Sequence, residues 1–164
     1  MLIRTARPDD LPALLDIYNY EVLNGVATFD SLPHSLAQRQ KWFDEHNVGN
    51  HPLIVAIADD GAVAGYASLS DYRPKDSYRT TVELSVYVSH THRRMGVATR
   101  LMEAILRMAR EDESIHTVVS VITSENEASI ALHKRFGFTY CGTLHEVGNK
   151  LGRLLSIDNY QLMV

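Results

Sequence analysis

A ten-residue stretch, Ser89-His-Thr-His-Arg-Arg-Met-Gly-Val-Ala98, gathers the residues best suited to hold an anion. Arg93 and Arg94 could make charge-assisted hydrogen bonds to phosphate oxygens, and Gly96 would let an anion approach the backbone closely. From Val97 onward Leu101, Ile105 and Met108 recur at helical spacing, with Met102, Leu106 and Ala109 beside them. The first four N–H groups of a helix lack internal partners, and the macrodipole places about half a positive charge there. The stretch therefore fits a pyrophosphate cradle, or an ordinary strand-to-helix turn with surface arginines. It contains neither G-x-x-x-x-G-K-[ST] nor G-x-G-x-x-G.

Other reactive side chains are sparse. Cys141 is the single cysteine, which forbids an internal disulfide and fits a reducing compartment. It sits in a β-like run and is expected to be a buried, inert thiol rather than a nucleophile. His34, His46, His51, His90, His92, His116 and His145 show no metal-ligand spacing. His90-x-His92 falls on the anion-favouring loop, so no metal is expected there.

The elements that must position these residues follow from periodicity. Val82, Leu84, Val86 and Val88 alternate with Glu83, Ser85 and Tyr87, predicting a strand that leads into the basic loop. Upstream, Met1–Thr5 predicts a strand. A helix opens at Pro8-Asp9-Asp10, with Leu11, Leu14, Leu15, Tyr18 and Val22 on its apolar face, and ends at Asn24-Gly25. Ser35 and Gln38 form a capping-box pattern for a second helix carrying Trp42 and Phe43 to about His46. Leu53–Ala58 and Ala62–Asp71 predict a hairpin about Asp59-Asp60-Gly61. Downstream, Thr117–Thr123 is β-branched like an interior strand. Ser124 with Glu127 is a second capping-box pattern, and Gly137 suits the position past that helix's end. Phe138–Leu144 and Leu154–Val164 are the last strands, with a polar connection Glu146–Arg153 between them. The order is β-α-α-β-β-β-α-β-α-β-β, an α/β chain with a mixed sheet.

The 164 residues suit one domain, 1–164, with no repeat or interdomain linker. A composition 45% hydrophobic and 22% charged is globular, and a net charge of −4 speaks against nucleic acid as a partner. The charged N-terminus is unlike a secretion signal, and no run approaches the ~20 apolar residues of a membrane helix. A soluble, cytoplasmic protein without a membrane partner is expected.

Arg93-x-x-Gly96-x-Ala98 after an apolar strand resembles the R/Q-x-x-G-x-G/A motif of the GNAT superfamily of acyl-CoA-dependent N-acetyltransferases. Asn126-x-x-Ser129-x-x-x-His133-x-x-x-Gly137-Phe138 resembles that family's second motif, N-x-x-A-x-x-x-Y-x-x-x-G-F, and the element order is the family's own. Ile17-Tyr18-Asn19, Trp42-Phe43, Gly65-Tyr66-Ala67-Ser68, Tyr78-Arg79-x-Thr81-Val82-Glu83, Ser85–Val88 and Ala128–His133 are similar to the phosphinothricin acetyltransferase branch, over essentially the whole chain. Two departures stand out. Leu84 replaces a residue that is often polar in the branch, which bears on the acceptor pocket. The Glu111–Ile115 turn lacks the usual Gly, which alters only a surface loop.

The resemblance implies a GNAT fold, acetyl-CoA as cosubstrate, no metal, and direct transfer to the α-amino group of a small glutamate- or methionine-like amino acid. Phosphinothricin, methionine sulfoximine and methionine sulfone are the branch's acceptor types. It puts a carboxylate base at Glu83. At His133 it puts either the acid for the leaving thiolate or a side chain packed on CoA, with Tyr87 and Tyr140 in reserve. Val86, Tyr87 and Val88 would offer backbone to pantetheine. Arg93, Arg94, Met95, Gly96, Val97, Ala98 and Thr99 would hold the pyrophosphate, and Asn126, Ser129 and His133 would meet the pantetheine arm. Arg73, Lys75 and Arg79 are the cations nearest Glu83 in sequence for an acceptor carboxylate. A homodimer is implied as well. Rival readings are acetylation of a protein N-terminus or a polyamine, and a non-catalytic acyl-CoA sensor. A polyamine would want acidic neighbours, whereas Tyr72–Arg79 holds three cations against one Asp.

Overall fold

The alternating residues of the central strand divide between two cores, and the fold is built outward from that division. A computed structural model describes residues Met1–Val164. Its elements are β1 (Leu2–Thr5), α1 (Leu11–Asn24), α2 (Leu36–Asp44), β2 (Leu53–Ile57), β3 (Val63–Asp71), β4 (Thr81–Val88), α3 (Val97–Glu111), β5 (Thr117–Thr123), α4 (Glu127–Arg135), β6 (Thr139–Lys150) and β7 (Arg153–Met163). The order is the one expected. All seven strands form one sheet, β1-β2-β3-β4-β5-β7-β6. Val82 and Leu84 bury into the larger core beneath α3, with Leu101, Met102, Ile105 and Val118. On the opposite face, Tyr66 and the partly buried Tyr87 pack with Leu14, Ile17 and Phe43 of α1 and α2. No helix is long and apolar enough to cross a membrane.

Every neighbouring pair of strands is antiparallel except β4 and β5. These two run parallel and stay in register only over Thr81↔Thr117, Val82↔Val118 and Glu83↔Val119. Both strands continue past that point without pairing to each other, while β4 stays paired with β3 and β5 with β7, so the sheet forks at Glu83. Gly65 on β3, opposite Val88, lets β4 and α3 both approach closely, because a Cβ there would lie 2.7 Å from the Tyr87 carbonyl oxygen and 3.1 Å from Val97 Cγ1.

Local chemistry departs from expectation in four places. On α1 the buried face uses Ile17, while Leu15 is only partly buried. At α4 the cap is Asn126, whose Oδ1 accepts from the Ser129 N–H at 3.2 Å. Ser124 is drawn away from that role, its hydroxyl donating to Asp158 at 2.7 Å. The Glu146–Arg153 segment is largely strand: β6 runs on to Lys150, and the hairpin turns on Leu151 and Gly152 alone, both at positive φ. An irregularity between Leu144 and Gly148, with Glu146 at positive φ, absorbs the polar residues. Finally, Cys141 is exposed rather than buried, because β6 is the edge strand of the sheet and is exposed throughout Thr139–Cys141; a bulge also sets Cys141 between Tyr140 and Gly142. The Ser35–Gln38 capping box, by contrast, closes α2 in both directions.

Candidate active site

Where β4 and β5 part, a cavity of about 320 Å³ opens. Its walls are Glu83–Tyr87 of β4, Ser120–Thr123 of β5, and Asn126, Ser129 and His133 at the start of and along α4. Ala27, Thr28 and Phe29 between α1 and α2 complete it, with Val147 of β6 and Ile157 of β7. Glu83, Val86, Tyr87, Asn126, Ser129 and His133, all singled out from the sequence, therefore meet in one place. Val88 and Arg93–Thr99 lie next along the chain, at the end of β4 and the start of α3. Arg73, Lys75 and Arg79 do not line the cavity. Arg79 is paired with Asp76 at 2.8 Å, and Arg73 lies over the Tyr72 ring.

Glu83 makes no hydrogen bond or ion pair within the chain, and burial alone pushes its carboxyl above the ordinary carboxylate range. His133 is 4% exposed. Its Nδ1 stands 2.8 Å from the Ser129 carbonyl oxygen, which only accepts, so Nδ1 carries the proton. Burial lowers the ring's pKa, which keeps it neutral and leaves Nε2 as a lone pair without a partner. The Ser120 hydroxyl is likewise buried and unpartnered on the cavity wall.

The loop that enters α3 is shaped by backbone conformation. Arg94 and Gly96 both sit at positive φ, 62° and 77°, and Gly96 caps the helix without any side-chain hydrogen bond. The N–H groups of Val97, Ala98 and Thr99 are thereby left for an external acceptor. Arg93 is tied to the nearly buried Glu21 of α1, whereas Arg94 makes no ion pair. Arg135 of α4 reaches the same end of α3, its guanidinium donating to Thr99 Oγ1 at 2.6 Å.

The Ala27–Phe29 wall is held from three sides. Thr123 donates its hydroxyl to the Val26 carbonyl at 2.5 Å, Lys150 Nζ donates to Thr28 O at 2.5 Å, and Tyr18 meets Thr28 Oγ1 at 2.9 Å. Tyr18 also donates to Asp30, and burial first, then that bond, pushes its phenol up to about 12. Phe29 lies against Gly148, where a Cβ would come within 2.2 Å of its ring. Ser120, Thr123, Ala27–Phe29, Val147 and Ile157 were not singled out from the sequence. Only Ser120, a lone hydroxyl inside the β-branched run TVVSVIT, carried a legible signal.

A family model described as an acetyltransferase (GNAT) domain matches residues 3–158. Over 160 residues the chain is 43% identical to a Pseudomonas aeruginosa protein named L-methionine sulfoximine/L-methionine sulfone acetyltransferase, covering 98% of this chain and 92% of that one. Ribosomal-protein-alanine N-acetyltransferase from Brucella melitensis has a crystal structure matching at TM-score 0.95, with 40% identity and full coverage of both chains. A phosphinothricin acetyltransferase from Sinorhizobium meliloti, solved in complex with acetyl-CoA, matches at TM-score 0.94 and 34% identity, over 99% of this chain and 88% of that one.

Proposed function

Because the chain belongs to the GNAT acetyltransferase family, we propose that it moves an acetyl group from acetyl-CoA directly to the α-amino group of a small glutamate- or methionine-like amino acid. The observation that carries this reading is the state of Glu83: a partnerless carboxyl, raised by burial, at the fork where β4, β5 and α4 wall one cavity. The names of the Pseudomonas and Sinorhizobium relatives support the acceptor class.

An α-amino group has a pKa near ~8 and is mostly protonated at neutral pH, so its lone pair must be freed before attack. Glu83 takes that proton. The C–N bond then forms, the C–S bond breaks, and the second proton shed by the nitrogen as it becomes an amide ends on the CoA thiolate. Neutral His133 offers Nε2 to an N–H of the pantetheine arm; to act as the acid it would first have to gain a proton. Val86, Tyr87 and Val88 lend backbone groups to pantetheine, and Asn126 and Ser129 stand beside it. Arg93, Arg94, Met95, Gly96, Val97, Ala98 and Thr99 cradle the pyrophosphate.

For the acceptor carboxylate we keep Arg73, Lys75 and Arg79 as candidates, acting across a homodimer. A dimer is supported by the exposed apolar row Tyr140, Leu144, Val147 and Leu154 on β6 and β7, since Val147 also lines the cavity. A cytoplasmic location goes with this reading, supported by the single free thiol. Acetylation of a protein N-terminus is the second reading, favoured by the printed name of the Brucella neighbour. The small cavity roofed by Phe29 favours the amino acid. A thiol-release screen of amino-acid analogues and alanine-initiated peptides with acetyl-CoA separates the two. Turnover confined to peptides would reverse the assignment, and acetyl-CoA binding without turnover of any amine would leave a sensor.

A further inference from the structure

On the α1/α2 face of the sheet, Ser70 stands directly across from Glu83 in the β3–β4 register. Directly opposed residues of an antiparallel pair share a face, with Cβ atoms roughly 4.5–5.5 Å apart. Behind Ser70 lies His46, just past the end of α2 and only 5% exposed. Its Nε2 is 2.8 Å from Ser70 Oγ, and its Nδ1 is 2.7 Å from the Trp42 carbonyl oxygen. A carbonyl only accepts, so Nδ1 carries the ring's proton and Nε2 is a lone pair. The Ser70 hydroxyl must therefore donate to His46, and it retains only lone pairs for anything else.

We propose that His46 and Ser70 form a positioning pair for Glu83: His46 draws the Ser70 proton to itself, so that Ser70 can meet the Glu83 carboxyl only as a hydrogen-bond acceptor, once that carboxyl is protonated. The proposal rests on Glu83 being the general base. When Glu83 takes the proton from the ammonium nitrogen, its new O–H finds an acceptor in place. When Glu83 is ionised, it finds no donor there. No bond to His46 or Ser70 is made or broken, and the transferred proton stays on Glu83. A hydrogen bond offered only to the neutral form disfavours ionisation, which makes Glu83 the stronger base.

The electrostatic surroundings fit this division. No charged side chain of β3, β5 or the Ala27–Phe29 wall bears on Glu83; burial alone raises it. Burial lowers His46, which faces His51, Arg39 of α2 and Glu45, with Asp71 of β3 taken up by His51 at 3.3 Å. The ring is thus neutral at the pH where amines are acetylated, as the donor direction requires.

The test is the pH profile of kcat/KM for the full chain, its Ser70→Ala, Ser70→Thr and His46→Phe variants, the His46→Phe/Ser70→Ala double variant, and Glu83→Gln. The titration of the amine is common to all. With His46 gone, Ser70 is free to donate to ionised Glu83, so the acid limb should move down by about one pH unit. Ser70→Ala should move it less, the double variant should match Ser70→Ala, and Ser70→Thr should keep the parental limb. An unmoved or raised limb in Ser70→Ala and His46→Phe, with Glu83→Gln impaired, overturns the pairing alone. Parental activity in Glu83→Gln overturns the base itself. Should His46→Phe fail to fold, Ser70→Ala against Ser70→Thr decides.

Discussion

Glu83 and Val119 face each other as the last registered pair between β4 and β5, and beyond them the two strands share no ladder. The proposed base is thus set at the apex of a fork rather than on an open sheet. One arm lines the cavity with Glu83–Tyr87, the other with Ser120–Thr123.

Glu83→Gln keeps the shape and removes the base. It should lower kcat/KM by roughly 10²–10⁴-fold, with the deficit shrinking as pH rises and free amine accumulates. Its effect on stability runs the other way. The folded state holds the Glu83 proton more tightly than the unfolded chain does, so ionisation costs stability as pH rises through the raised value. At pH 7 the variant should melt above the parent, and the gain should vanish below about pH 4, where both states are protonated. Thermal scans at the two pH values check this.

His133 carries the opposite sign. Burial lowers its pKa, so the unfolded chain binds the extra proton first and stability is lost as pH falls below about 6.5. His133→Gln should lose less melting temperature than the parent between pH 7 and pH 5. An identical decrement in both would mean that the ring is not held neutral.

Gly96 has no atom within 4 Å of where a Cβ would stand, but its φ is +77°. Gly96→Ala should therefore cost about 1 kcal/mol through backbone strain alone. Gly96→Asp adds a negative charge where the pyrophosphate is proposed to sit and should abolish acetyl-CoA binding. Calorimetry on folded Gly96→Asp with unchanged affinity would remove the cradle from this loop.

Gly148→Ala drives a methyl into the Phe29 ring. Displacing that roof should cost about 1–3 kcal/mol and raise the acceptor KM, while acetyl-CoA affinity stays at the parental value. Steady-state kinetics varying each substrate in turn separate the two.

Arg73→Ala and Lys75→Ala should raise KM for an acidic acceptor and leave acetyl-CoA affinity intact, the mark of lost ground-state binding. Acceptor kinetics unchanged in both variants would put the carboxylate elsewhere.

The parts legible in the sequence were those set by short-range periodicity. The alternation of Val82–Val88 and the apolar stripe of α3 needed only neighbouring residues, and the basic loop between them followed. Long-range geometry was not legible. Nothing local marks Ala27–Phe29 as a cavity wall, since its place is set by hydrogen bonds from Thr123 and Lys150, far along the chain. A β-like run around Cys141 reads as buried, but nothing local says that its strand will be the last in the sheet, where Thr139, Tyr140 and Cys141 are all exposed. The β6–β7 hairpin was cut short for a similar reason: polar residues in a half-exposed strand look like a loop. Arg73, Lys75 and Arg79 are close to Glu83 in sequence, and the fold does not carry that closeness into the cavity.

The fork also leaves this sheet with two edges in its middle. Past Glu83 and Val119, strands β4 and β5 turn unpaired ladder groups toward one another, the arrangement that elsewhere invites a foreign strand to add itself. Only α4, the Ala27–Phe29 segment and the hairpin stand over that gap. The protein without its donor substrate is therefore the form most open to wrong pairing. If the proposed site is right and acetyl-CoA runs between the arms, amide hydrogen exchange along Leu84–Val88 should slow when it is bound, and thermal scans should show the loaded protein melting higher.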